Sequence, residues 1–190
     1  MSENKVAFGL KNVHYAVITK GADGAETYGV PKRYTGAVEL TLEPKGELSE
    51  FYADDTVYYS ASTNQGYEGT FNAAEAPEDF RISVLGEKLV GGLLVEDANI
   101  KPKPVALLFE FDGDVKATRH VLYNVTFNRP GLASKTKEDA TEVSTNELSF
   151  MAAPRAKDGR VKIKTSSTTT EEIYNKWYTA VPEAVEPPIV

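Results

Sequence analysis

The sequence predicts a mainly β fold, a β-sandwich or barrel with one or two flanking helices and a long loop. Three observations carry that expectation. Apolar and polar residues alternate with period two over most of the chain. Gly and Asp turn signals punctuate the alternating runs. Only two stretches, near Pro77 and near Thr169, have helical spacing.

The first strand is expected over Asn12 to Thr19, with Val13, Tyr15, Val17 and Ile18. In the second, Val38, Leu40 and Leu42 alternate with Glu39, Thr41 and Glu43, giving one buried face and one wet face. Glu50 to Ser60 reads as two short strands around Ala53-Asp54-Asp55. Tyr67, Gly69 and Phe71 alternate with Glu68, Thr70 and Asn72. Val105, Leu107, Phe109 and Phe111 line one face of a strand whose other face is Ala106, Leu108 and Glu110, so burial on both sides is expected. Val121, Tyr123, Val125 and Phe127 repeat the pattern, and Asp112-Gly113-Asp114 between the two runs is a hairpin signal. Leu148 to Met151 and Arg160 to Lys164 form an expected late pair.

Pro77, Glu78 and Asp79 suit the start of a helix with an apolar stripe of Phe80, Val84 and Leu85 and an end at Gly86. Thr169 with Glu172 is a capping box, followed at helical spacing by Ile173, Trp177 and Tyr178. Trp177 is expected to anchor on the sheet. Three segments are expected to be mobile: the tip Lys20 to Thr27, the polar stretch Pro130 to Glu147, and the tail Pro182 to Val190, which is too proline-rich for regular structure. Gly91-Gly92 reads as a flexible connection.

The 190 residues fit one domain, and 41% hydrophobic with 26% charged residues is ordinary for a globular core. The absence of cysteine excludes disulfides, thiolate nucleophiles and cysteine metal sites. Met1 to Leu10 has no apolar run, so neither a signal peptide nor a membrane anchor is expected. A net charge of −7 lacks the positive field that drives nucleic-acid binding. The two histidines, His14 and His120, sit in separate expected strands, and no nucleophile elbow, zinc motif or phosphate loop occurs. Asp54-Asp55 and Asp112-Gly113-Asp114 lack the spacing of a calcium loop and read as turns. No catalytic, cofactor or metal residue is therefore nominated. Unpaired sheet edges, which template strand pairing between chains, make self-assembly the reading to pursue.

A series of segments, in order, resembles the phage major tail proteins, the tail tube subunits of siphophages of Gram-positive bacteria. It begins with Phe8-Gly9-Leu10-Lys11-Asn12-Val13-His14-Tyr15-Ala16 and Gly36-Ala37-Val38-Glu39-Leu40. Phe51-Tyr52-Ala53-Asp54-Asp55, Tyr58-Tyr59, Asn64-Gln65-Gly66-Tyr67-Glu68-Gly69-Thr70 and Asp79-Phe80-Arg81 follow. Pro102 to Asp114, Arg119 to Asn124, Arg129-Pro130 and Lys135-Thr136-Lys137-Glu138 complete it.

The resemblance implies a structural, non-enzymatic subunit without cofactors. Such subunits form hexameric rings that stack into a hollow tube for DNA, and their inner strands join into one barrel. It also implies a virion location after synthesis in the host cytoplasm. The implied partners are copies of the chain, the tape measure, terminator and distal tail proteins, and passing DNA without specific binding, with no membrane. On this basis residues 1–11 are expected to form an N-terminal arm, 12–181 the tube domain and 182–190 a C-terminal arm. Glu39, Thr41 and Glu43 are candidates to face the lumen, with strands 104–111 and 117–128 the alternative wall. Asp23, Asp54, Asp55, Arg129, Lys135, Lys137 and Glu138 are candidate contacts within and between rings. The competing roles are a tail terminator or baseplate hub of the same fold, or a carbohydrate-binding module using Tyr58, Tyr59 and Tyr67.

Overall fold

The computed structural model describes residues 3–22, 24–132 and 145–184. Among them the chain is mainly β, as expected, with two short helices. The strands are β1 (Ala7–Lys20), β2 (Glu26–Tyr28), β3 (Lys32–Arg33), β4 (Ala37–Lys45), β5 (Leu48–Ala53), β6 (Thr56–Ser62) and β7 (Gly66–Ala73). After them come β8 (Lys88–Val90), β9 (Leu93–Val95), β10 (Val105–Gly113), β11 (Thr118–Phe127), β12 (Asn146–Ala152) and β13 (Lys162–Lys164). Helix α1 (Glu78–Phe80) continues as a wider π-helical stretch over Arg81–Leu85, and α2 is Glu171–Asn175.

One antiparallel sheet runs β2-β1-β10-β11-β12-β7-β4, with β3 added on β1 and β13 on β11. It closes over itself, because its two ends contribute to one core. Val13, Tyr15, Leu107, Phe109 and Leu122 from one end meet Phe71, Leu148 and Phe150 from the other. Strand β11 belongs to both layers: His120 to Leu122 pair with β13, and Val125 to Phe127 pair with β12. Phe80 plugs the core with 1% exposure, its ring 5.0 Å from those of Tyr15 and Tyr34 and 5.4 Å from that of Phe127. Helix α1 is tied down through Asp79, whose carboxylate accepts from the Tyr15 hydroxyl (2.5 Å) and from Lys32 Nζ (2.9 Å). Those two hydrogen bonds hold the Asp79 carboxyl below its ordinary pKa.

A smaller cluster lies on the outer face of β1, β10 and β11, where Trp177 covers Ala16, Ala106, Leu108, Val121 and Tyr123. The expected anchor role of Trp177 holds. Ile173 is exposed and leaves the expected stripe, and the helix cap is Thr170 in place of Thr169. Thr170 Oγ1 accepts from the Ile173 N–H, while Thr169 Oγ1 accepts from the Ser166 N–H.

Four further differences have local causes. Strand β11 carries a bulge, since Val105 pairs with Val125 but Leu107 with Leu122. The extra residue flips the alternation. Val121 and Tyr123 therefore face Trp177, whereas Leu122, Val125 and Phe127 face the main core. A second irregularity between Ala37 and Glu39 turns Val38 out to 58% exposure. The β10–β11 turn lies beyond Asp112-Gly113, because Gly113 is still paired with Ala7 of β1. The expected late pair does not form: β12 lies between β11 and β7, and β13 pairs with β11.

His120 stacks on Phe109 (centroids 5.1 Å apart, planes 3° apart). Burial, helped by Lys162 and Lys164, lowers its pKa from 6.5 to about 4. The unfolded chain therefore binds this proton more readily than the folded one between those values. Stability should be level above pH 6.5 and fall as pH drops toward 4. His14, also lowered by burial, acts in the same direction. Urea unfolding at stepped pH should show a shallower slope for His120→Phe than for the native chain.

Candidate assembly surfaces

Four features stand out once the core is subtracted. The first is the wet face of β4, β7 and β12. Glu39, Thr41 and Glu43 share it, as the alternation predicts, because Leu40 and Leu42 take the core side. Pairing sets Asn72, Thr70 and Glu68 beside them, and Glu147, Ser149 and Met151 beside those. Asn72 Nδ2 donates to Glu39 Oε2 (3.3 Å) and Asn128 Nδ2 to Ser149 Oγ (2.9 Å). Four carboxylates, Glu39, Glu43, Glu68 and Glu147, thus share a neutral polar carpet, and the ion pair on it among the described residues is at one end, where Lys45 reaches Glu68 (3.5 Å). The alternation in Glu68, Thr70 and Asn72 was legible in the sequence. Their placement beside β4 depends on strand pairing, which composition does not carry.

The second feature is an edge. β4 ends the strand order, so its outer edge has no partner among the described residues. That edge runs on into β5, since β5 and β6 extend the β4–β7 hairpin through Thr63 N–H to Glu47 O and Gln65 N–H to Lys45 O. Gly66 sits at the junction with φ +104°, and a Cβ there would lie 1.9 Å from Ala152 O. Only glycine fits.

The third feature is the β5–β6 hairpin itself. Its loop is Asp54-Asp55, both with φ near +50 to +60°, as a two-residue type I′ turn requires. Glu50 and Tyr52 share one face, where the Tyr52 hydroxyl donates to Glu50 Oε2 (2.7 Å), and Phe51 and Tyr59 pair on the other. Phe51, Tyr52, Tyr58 and Tyr59 are each more than 60% exposed. A two-stranded ribbon is marginal in water by itself, and one with aromatics on both faces needs a partner surface. Tyr67, the third tyrosine of the carbohydrate reading, lies apart from this ribbon under Lys162 Nζ (4.3 Å from the ring centroid).

The fourth feature was missed in the sequence. Gly91-Gly92 is the turn of a second apolar ribbon, β8–β9, with both glycines at positive φ. Leu89, Val90, Leu93, Leu94 and Val95 are all exposed. Ion pairs brace its two roots: Glu87 and Glu75 on Arg81 at one, Glu96 on Arg129 (2.6 Å) at the other. The signal was present as five large apolar residues flanking a Gly-Gly turn.

The described chain is fastened to the fold near both of its limits, at Asn4 and at Pro182–Glu183. Asn4 Oδ1 accepts from the Val115 and Lys116 N–H groups across the β10–β11 turn. Buried Arg155 donates to Asp158 (2.6 Å) and Glu183 (2.7 Å) and lies 3.9 Å above the Tyr123 ring. The Tyr123 hydroxyl donates to Pro182 O (2.9 Å), so the expected irregular tail is anchored at its start. A buried carboxylate, Glu110, accepts from Arg119 (2.9 Å), Asn12 (2.6 Å) and the Tyr178 hydroxyl (3.1 Å). Each charge is matched, which is the condition for burying it.

Of the candidate contact residues, Asp54 and Asp55 form an exposed tip, and Arg129 is engaged by Glu96. Asp23, Lys135, Lys137 and Glu138 lie outside the described residues. His14 and His120 do not meet: His14 stacks on Tyr178 on the outer face, and His120 on Phe109 toward the main core. Among the described residues no three metal-ligating side chains cluster. No helix among them is long and apolar enough to cross a membrane.

Residues 2–183 match the model of a protein family described as phage tail tube protein. No curated protein matches the chain.

Proposed function

Because the chain belongs to the phage tail tube protein family and has that family's structural role in the virion, we propose that it forms hexameric rings stacked into the conduit for DNA ejection. The observation that supports this most is the continuity of three surfaces on β4–β7. A polar, acidic face, an unpaired edge and an exposed aromatic ribbon follow one another along the same pair of strands. In a ring, the β4 edge pairs with a strand of the neighbouring copy, removing the exposed backbone groups. Such a head-to-tail contact closes on itself when the rotation between copies fits.

The acidic face then lines the lumen, with Glu39, Thr41 and Glu43 joined by Glu68, Thr70 and Glu147. Like charge keeps the phosphate backbone from settling on the wall. The Asp54-Asp55 ribbon projects beyond the ring and supplies contact to the next one. Burying its four aromatic side chains contributes roughly 6–12 kcal/mol before the cost of association is subtracted. The N- and C-terminal arms, clasped at Asn4 and Glu183, add to these contacts. The tape measure, terminator and distal tail proteins of a siphophage are the further partners, and the role needs no cofactor.

Negative-stain electron microscopy of the concentrated protein tests the reading. Rings or hollow tubes of uniform diameter are expected. Dispersed particles at every concentration, with the chain absent as a major component of purified tails, would overturn it.

A further inference from the structure

The two apolar ribbons stand at opposite ends of the subunit. β5–β6 grows from the end of β7 marked by Gly66, which lies next to Lys45 of β4. The other end of β7, Ala73, pairs with Asn146. β11 pairs with β12 so that Phe127, opposite Phe150, lies toward that second end, and Arg129 follows it. Arg129 holds Glu96, the residue after β9, and Arg81 joins Glu75, just past β7, to Glu87, just before β8. β8–β9 therefore rises where β7 finishes, about 25 Å from the root of β5–β6 at ~3.3 Å per strand residue.

Their chemistry is complementary as well as opposed in position. Both are apolar, with turns of the same type. The tip of β5–β6 carries two exposed carboxylates, Asp54 and Asp55, with no ion pair among the described residues. Three exposed lysines flank the root of β8–β9, outnumbering the exposed Asp97 there. Lys88 opens β8, Lys101 lies beside Gly86, and the Lys103 N–H donates to Val84 O (2.8 Å). None of the three is in an ion pair among the described residues.

We infer that the β5–β6 ribbon of one copy docks on the β8–β9 ribbon of a second copy in the adjacent ring, with Asp54 and Asp55 against the lysine group. This rests on the stacking of rings proposed above and names the surface that receives the ribbon. A plug at one end and a socket at the other give a polar contact that repeats along an axis and gives the tube a direction.

The native chain has no cysteine, so engineered pairs are read without background. Tyr58→Cys and Leu89→Cys, combined in one chain and oxidised after assembly, should give a ladder of disulfide-linked species. Either single variant should give none. Asp54→Lys with Asp55→Lys should raise the concentration needed for tubes at least tenfold while leaving rings, and Lys88→Asp with Lys101→Asp should restore it. Tubes that form without the ladder, and without response to the charge exchange, would refute the pairing while leaving ring stacking intact. A native chain that never yields rings or tubes would refute the functional reading and this inference together.

Discussion

Tubes built from a chain with Glu39, Glu43, Glu68 and Glu147 all changed to lysine should assemble but hold on to DNA. The four positions share one exposed face and none belongs to the core, so only the exposed Asn72–Glu39 and Lys45–Glu68 contacts are lost on reversal, at small cost to the fold. Reversal makes the proposed channel a polycation, and each lysine that meets a phosphate releases a counterion. For six to ten such contacts, affinity should drop by about 10³–10⁵ between 50 and 200 mM salt. Retention of linear DNA by assembled protein, measured against salt, is the direct readout, and slowed ejection the biological one. If DNA is retained no better by the lysine variant than by the native tube, these strands do not line the channel, and the β10–β11 wall becomes the one to test.

Phe80→Ala should produce a large loss of stability. The ring is enclosed by Tyr15, Tyr34 and Phe127 and sits where helix α1 meets both layers of the sheet. Removing it costs the transfer free energy of the ring together with the cavity it leaves, about 3–5 kcal/mol. For a domain of this size that is a fall of roughly 10 °C in Tm. Differential scanning calorimetry of the dispersed chain measures it, and Phe80→Leu should recover a good part of the loss. A drop of only a degree or two would mean that the neighbouring rings collapse into the space.

Much of the fold was legible because period-two patterning reports which face of a strand is buried. Glu39, Thr41 and Glu43 came out on the wet face, and both faces of Val105 to Phe109 came out buried. Bulges are where the pattern misled. One added residue between Leu122 and Val125 exchanges the two sides of β11, and nothing in Tyr123-Asn124 marks it. Turn chemistry was read well at Asp54-Asp55 and poorly at Gly91-Gly92, where two glycines permit either a hinge or a tight reversal. The backbone pairing of Lys88 with Val95 decides between them. The clasp of Arg155 on Glu183 joins residues far apart in the chain, so no local pattern announces it. Assembly residues are the hardest to find in a sequence, since their partners lie on another copy.

A single strand shared by two layers also governs how the subunit carries force. β11 is hydrogen-bonded to β10 and β13 along one stretch and to β12 along the other. Neither layer can peel away without tearing the strand that anchors its opposite number, so the sandwich gives way as a whole or holds as a whole. Strain on an assembled tube would then be borne first at the two ribbons, whose apolar side chains are exposed and not committed to the core. In the proposed tube, the wall would keep its shape while the joints between rings flex.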